Sequence, residues 1–319
     1  MTDAVFLDRA TLDLGDLDMT ALERVLPGLV YHETTDAEQT LERIGDADCV
    51  VVNKVVLDGD VLSRCPRLRL VCVVATGTNN VDLGAAERLG IRVVNCRGYG
   101  TDSLSQHVLT LILALSRRLA SYTEAVGRGD WQRSPIFCLL DYPIEELNGK
   151  VLGIVGHGEL GGAVARLGTA LGMEVRIAER PGRSEVRSDR QALPELIREA
   201  DVLTLHCPLT EDTRGLIGAE ELRRMKNTAI LINTARGGIV DEPALAAALR
   251  SGEIAGAGVD VLSEEPPEGG NPLLAGDIPN LLVTPHCAWG SRQARQRIVD
   301  QTVENVRRWR DGDPVRVVR

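Results

Sequence analysis

The sequence predicts an α/β protein of two domains, each built on a parallel sheet, with the second domain inserted in the first. Three observations carry that prediction. The apolar run VLGIV leads straight into Gly156, Gly158 and Gly161; strand-like and helical segments alternate on both sides of it; and 319 residues exceed what a single hydrophobic core usually organises. At 44% hydrophobic and 26% charged, the composition is that of an ordinary globular chain.

In the first hundred residues AVFLD (4–8), CVVVNKVVL (49–57), LRLVCVVAT (68–76) and IRVVNC (91–96) read as strands, with helical TALERVL, DGDVLSRC and LGAAERLG among them. This is a small parallel α/β layer. Gly98-Tyr99-Gly100 reads as a hinge, after which a long helix runs from Asp102 through Leu119 with apolar residues at helical spacing. The irregular stretch GRGDWQRSPIFCLLDYPIEELNGK is long enough to cover a neighbouring subunit. Then come the strand VLGIV, the helix ARLGTALGM and the strand EVRIAE. The strands DVLTLHCP, TAILINTA, GAGVDVL and LLVTPH follow, with helices near 218–226 and 241–251. An amphipathic helix from about Ser291 to Arg310 would cross back to the first domain. The expected architecture is therefore two Rossmann-like domains. A doubly wound parallel-sheet domain, residues 99–288, is inserted in a smaller flavodoxin-like substrate domain, residues 1–98 and 289–319.

GxGxxG alone is a weak signal in a chain with 32 glycines, but here it lies between a strand and a helix. Gly156 allows the tight turn, Gly158 lets the main chain approach a pyrophosphate, and Gly161 lets the following helix pack close to the sheet, with Glu159 and Leu160 of the same turn counted among the cofactor-binding residues. Glu179 ends the next strand, where a carboxylate would accept hydrogen bonds from an adenosine ribose. The segment reads as a dinucleotide site. Glu179 disfavours a 2'-phosphate, whereas Arg180 and Arg183 just beyond would attract one, so NAD is expected and NADP is the alternative.

A net charge of -10 argues against nucleic-acid binding, and no stretch of about 20 apolar residues predicts a membrane span. The start has no basic, apolar leader, so a cytoplasmic protein is expected. Seven cysteines without CxxC spacing read as buried free thiols. His206 and His286 each end a strand and precede a cysteine, but adjacent strand residues point to opposite faces, so each pair offers one ligand at a time and no metal is expected.

Ligands of open α/β sheets sit beyond the carboxyl ends of strands. His286 lies there and is the candidate proton donor for hydride transfer to a ketone; His32 and His107 read as solvent or core residues, and His157 counts for its backbone. A carboxylate beside the ring would favour its charged form and fix its tautomer, and a guanidinium would bind a substrate carboxylate in bidentate fashion. Glu265 and Arg236 follow neighbouring strands. They fit those roles, and they fit a structural ion pair equally well.

The set GHGELG, CPLTEDTRGLI, INTARGGIVDEPAL, GAGVDVLSEEPP and TPHCAWGS, spread over almost the whole chain, resembles the D-isomer-specific 2-hydroxyacid dehydrogenases. The resemblance implies that Arg236 binds the 2-oxo acid, that Glu265 orients the histidine, and that His286 is the acid/base. It also implies that Asp260 meets the nicotinamide end, that Pro208, Thr213, Thr234 and Ala235 line the cofactor groove, and that the protein is a homodimer. VVNKVVL, ATGTNNVDL, YGTDSLSQH and Trp289 resemble the glycerate dehydrogenases, also called hydroxypyruvate reductases. Amides of Thr76 and Gly77 would then cradle the substrate carboxylate. Asn53 and Lys54 would meet its hydroxymethyl end, although Lys54 reads equally as a solvated charge and Trp289 as an interdomain packing residue. The implied reaction is reversible NADH-dependent reduction of hydroxypyruvate or glyoxylate to D-glycerate or glycolate.

Glu159 would repel pyrophosphate unless it points to solvent, and Cys287 and Gly290 depart from the aliphatic residue and alanine expected beside the histidine. Two alternatives stand. One is 3-phosphoglycerate dehydrogenase, against which count the absence of an arginine cluster in the substrate loops and the end of the chain just after its last helix. The other is an NAD-sensing corepressor, which would bind NADH without turning over.

Overall fold

A computed structural model describes residues 3–183 and 185–318. The chain divides into two compact units, residues 1–100 with 290–319, and residues 101–289.

In the first unit five parallel strands, β1 (Ala4–Phe6), β2 (Val30–Tyr31), β3 (Cys49–Val52), β4 (Leu70–Val73) and β5 (Arg92–Val94), take the order β2-β1-β3-β4-β5, the flavodoxin-like winding. β3 and β4 are buried at every residue, as befits strands covered on both faces. Structure and sequence reading differ here at two strands. The strand expected over 49–57 stops at Val52, because the amides of Asn53, Lys54 and Val55 donate instead to the buried carboxylate of Asp8 at 2.6–3.2 Å. β2, a two-residue strand, carried no readable pattern. The last helix, Arg292–Arg310, packs into this unit and is held at its start by a bidentate Arg295–Asp16 pair at 2.7–2.8 Å.

In the second unit six parallel strands take the order β11-β10-β9-β8-β6-β7: β6 (Val151–Val155), β7 (Glu174–Ile177), β8 (Val202–Leu205), β9 (Ile230–Asn233), β10 (Gly256–Val259) and β11 (Leu281–Val283). Winding reverses between β6 and β8, which opens a crevice at their carboxyl ends. The helix after Gly100 spans Thr101–Ser116 rather than reaching Leu119, since Arg118 turns left-handed (φ 51°) and a second helix, Leu119–Gly127, begins. Its inner face, Val108, Leu111, Ile112 and Leu115, closes one side of the sheet with Leu152, Ile154, Ile230 and Ile232.

Candidate active site

The crevice is built by glycine. A Cβ on Gly156 (φ 95°) would fall 2.7 Å from the main chain of His206 and Cys207, at the end of β8, and one on Gly161 would fall 2.1 Å from the carbonyl oxygen of Gly156. The turn therefore wraps tightly against the sheet. Gly158 faces open space and caps the helix Glu159–Ala170 with no side chain, which leaves the first-turn amides for an anionic ligand. Glu159 is exposed, as required, and its carboxylate accepts the Thr101 hydroxyl at 2.5 Å; Leu160 is half-buried. At the end of β9 the Thr234 hydroxyl is buried and has no partner among the described residues, and Ala235 beside it is partly open. Thr213 works inward, fixing its turn by donating to the Pro208 carbonyl at 2.7 Å and accepting from the Thr210 amide at 2.7 Å. The pinched glycine turn, the uncapped helix and the orphaned hydroxyl fit a dinucleotide.

Glu179 departs from the simple expectation. It is buried, and its four acceptor positions are filled: Oε1 by the Arg180 amide and Arg187 Nη2, both at 2.7 Å, and Oε2 by the Arg187 amide at 3.0 Å and Arg187 Nε at 2.9 Å. The Arg187 guanidinium, followed by those amides, holds the carboxyl well below the usual range. No acceptor remains for a ribose hydroxyl, and sequence reasoning named Arg180 and Arg183 but missed Arg187.

At the ends of β9, β10 and β11 the remaining candidates converge. His286 Nδ1 donates to Glu265 Oε2 at 2.6 Å, and Glu265 Oε1 accepts the Leu262 amide at 2.8 Å. The acceptor-only carboxylate fixes the tautomer, leaving Nε2 as the nitrogen for proton exchange. His286 is left-handed (φ 50°) and held there by its amide, which donates to the Asp260 carbonyl at 2.8 Å. Arg236 is exposed; its guanidinium donates to the Ala235 carbonyl at 2.7 Å, and no carboxylate pairs with it among the described residues, so the structural ion pair with Glu265 does not form. A Cβ on Gly237 would fall 1.8 Å from the Leu262 carbonyl oxygen, so the Arg236 and Glu265 turns touch main chain to main chain.

Asp260 is fully buried and accepts the Thr284 hydroxyl (2.5 Å) and the amides of Cys287 and Ala288 (3.0 Å each). With the Thr284 hydrogen given to Asp260, His107 Nε2 donates to the Thr284 oxygen at 3.0 Å, so its helix face is part of this junction rather than simple core. His107, Asp260 and Cys287 bring nitrogen, oxygen and sulfur within 4.8 Å of one another, a chemically competent metal set whose carboxylate is already engaged. Cys287 is exposed and Cys138 half-buried, a correction to the reading of all seven thiols as buried; burial and then Asp260 push the Cys287 thiol up.

Sequence reasoning also missed Glu242. Its buried carboxylate accepts the amide and hydroxyl of Ser263 and the Asn271 amide group, each at 2.7 Å, pinning the loop that carries Glu265. Glu242 stands inside INTARGGIVDEPAL, but nothing in that run says that its side chain reaches the loop bearing Glu265. In the first unit Asn53 is buried and donates to Thr11 at 3.0 Å, Lys54 is exposed, Thr76 donates to the Cys96 carbonyl at 3.0 Å, and Gly77 is partly open. Trp289 is half-buried. A cavity of about 370 Å³, lined by Leu115, Lys150, Asp201 and Asn280, lies at the opposite, amino-terminal ends of the second sheet's strands, and its Lys150 is paired with Glu145 at 2.7 Å.

Comparison with known proteins agrees. The family model for the D-isomer specific 2-hydroxyacid dehydrogenase NAD binding domain matches residues 109–288. Glycerate dehydrogenase of Methylorubrum extorquens is 45% identical over 98% of both chains, and hydroxypyruvate reductase of Blautia hydrogenotrophica 40% identical over 98% of both. The structure of D-lactate dehydrogenase from Aquifex aeolicus, complexed with NAD and lactic acid, superposes with a TM-score of 0.81 at 28% identity, covering 98% of this chain and 96% of that one.

Proposed function

The chain belongs to the D-isomer-specific 2-hydroxyacid dehydrogenase family, and on that premise we propose that Arg236, Glu265 and His286 carry the NADH-dependent reduction of a small 2-oxo acid, hydroxypyruvate or glyoxylate. The observation that bears most weight is the 2.6 Å pairing of His286 with Glu265 at the strand ends. NAD is the cofactor, and when bound and reduced it supplies the hydride to the carbonyl carbon. The Gly156–Gly161 turn and Thr234 would hold it, with Asp260 at its nicotinamide end. His286 Nε2 gives a proton to the developing alkoxide, and Glu265, bonded to Nδ1, holds the ring in the orientation that presents Nε2. Arg236, with no carboxylate of its own, takes that of the substrate and polarises the carbonyl.

The test is steady-state NADH oxidation with hydroxypyruvate, glyoxylate, pyruvate and phosphohydroxypyruvate. Hydroxypyruvate or glyoxylate should be turned over fastest, and His286→Ala should lose about 10² to 10⁴ in rate. Tight NADH binding without turnover of any 2-oxo acid would instead indicate a sensor.

We also infer a homodimer that works in the cytoplasm. Trp131, Ile136, Phe137 and Leu140 are 53–89% exposed along one irregular segment, an apolar run that a second copy would cover. All seven cysteines are unpaired, in keeping with a reducing compartment, and among the described residues no helix is long and apolar enough to cross a membrane. Phe137→Asp with Leu140→Asp should halve the mass measured by sedimentation; an unchanged mass would count against this interface.

A further inference from the structure

An acid at the end of the second strand of a dinucleotide fold selects NAD in two ways: its free oxygens accept the ribose hydroxyls, and its charge repels a 2'-phosphate. In this protein neither can operate. All four acceptor positions of Glu179 are filled by Arg187 and two amides, and its charge is met face to face by a bidentate guanidinium.

The segment that follows is rich in cations. Arg180, Arg183, Arg187 and Arg190 fall within eleven residues. Arg180 and Arg183 are exposed, and among the described residues no carboxylate pairs with either. The Arg187 side chain remains 47% exposed while it clamps Glu179, so part of its guanidinium is still open to a ligand. Arg190 is mostly buried, its Nε ion-paired with Asp189 but without a well-aligned hydrogen bond among the described residues, and it lies close enough to the glycine turn that, after burial, its charge is the next cause holding the His157 ring below its usual range. The opposing carboxylates are few. Asp189 pairs with Arg190 at 3.2 Å, Glu185 is exposed, and Asp212 stands beside Gly182.

We propose that Arg180, Arg183 and Arg187 form a phosphomonoester pocket beside Glu179, so that the protein takes NADP(H) as well as NAD(H), with Arg187 as the residue that decides. The inference rests on the cofactor groove proposed above. Arg187 acts twice, by silencing Glu179 and by lending its open face, with Arg180 and Arg183, to the 2'-phosphate.

Calorimetric titration tests it without turnover, using NADH, NADPH, adenosine 5'-monophosphate and adenosine 2',5'-bisphosphate. The wild type should bind NADPH within about tenfold of NADH, and the bisphosphate more tightly than the monophosphate, by a margin that shrinks with added salt. Arg187→Ala should weaken NADPH and the bisphosphate by about 10- to 100-fold and NADH by less than about threefold. Glu179→Gln, which removes the charge but also turns one acceptor into a donor facing the clamp, should improve NADPH binding by less than about threefold, since that charge is already met. The proposal is overturned if wild-type NADPH binding is more than about 100-fold weaker than NADH, if Arg187→Ala weakens both dinucleotides equally, or if Glu179→Gln improves NADPH binding by about tenfold or more. Failure of the wild type to bind either dinucleotide would overturn the groove itself, and this pocket with it.

Discussion

Replacing Glu265 by glutamine keeps the shape of the side chain and removes the charge opposite His286. The 2.6 Å bond between them is charge-assisted, a class that contributes about 1.5–3 kcal/mol against about 0.5–1.5 kcal/mol for a neutral bond. The difference, about 1–2 kcal/mol, corresponds to about 5- to 30-fold in rate at roughly 1.4 kcal/mol per tenfold. His286 and Glu265 are 33% and 34% exposed, so solvent screening places the loss toward the lower end. The assay is kcat/KM for hydroxypyruvate at saturating NADH, with the NADH Kd measured alongside. The loss should appear in kcat while the NADH Kd stays put, because Glu265 contacts His286 and the Leu262 amide rather than the glycine turn. Since Glu265 acts through the ring, Glu265→Gln combined with His286→Ala should be no slower than His286→Ala alone. Fully multiplicative losses in the double variant, or wild-type kcat in Glu265→Gln, would refute the reasoning.

Three further outcomes are expected. Gly161→Ala drives a methyl group to 2.1 Å from the Gly156 carbonyl oxygen and should weaken NADH by at least about tenfold in calorimetry; unchanged affinity would show that the turn yields. Glu242→Ala strands three donors and should cost about 3 kcal/mol in urea unfolding, with a fall in kcat as the loop bearing Glu265 loses its anchor, whereas Glu242→Gln should fall between; a variant as stable as the wild type would remove the anchor from the account. Burial lowers His206 from 6.5 to about 4, so the unfolded chain takes up a proton there before the native one does. Its contribution is complete above the unfolded value and is lost as pH falls toward the folded one, reaching a loss of about 2 kcal/mol by pH 5. Urea midpoints of the wild type and His206→Gln should therefore diverge between pH 7 and pH 5, and parallel curves would refute this.

Local chemistry was legible in the sequence, and distant pairing was not. Gly156, Gly158 and Gly161 announce their turn because its geometry is set by adjacent residues. The two parallel sheets follow from alternating strands and helices, but strand ends do not: nothing in CVVVNKVVL says that Asp8, more than forty residues earlier, will take the amides of Asn53 to Val55 and end the ladder. His286 and Glu265 could be placed at strand ends by pattern, yet their contact spans two loops and was readable only through family resemblance. Glu179 shows the opposite failure. Its position was read correctly and its availability was not, because Arg187 lies eight residues on in an irregular loop that no period describes.

The contact between Gly237 and Leu262 has a consequence for how such an enzyme can change. Where two turns meet with room for a hydrogen atom and nothing larger, the interval between the turns that carry Arg236 and Glu265 is fixed by the main chain, not by any side chain that mutation could resize. Arg236 and Glu265 thus behave as one casting. New substrates can be explored by altering walls elsewhere while the chemistry stays in register, and the position least free to vary is a residue with no side chain at all.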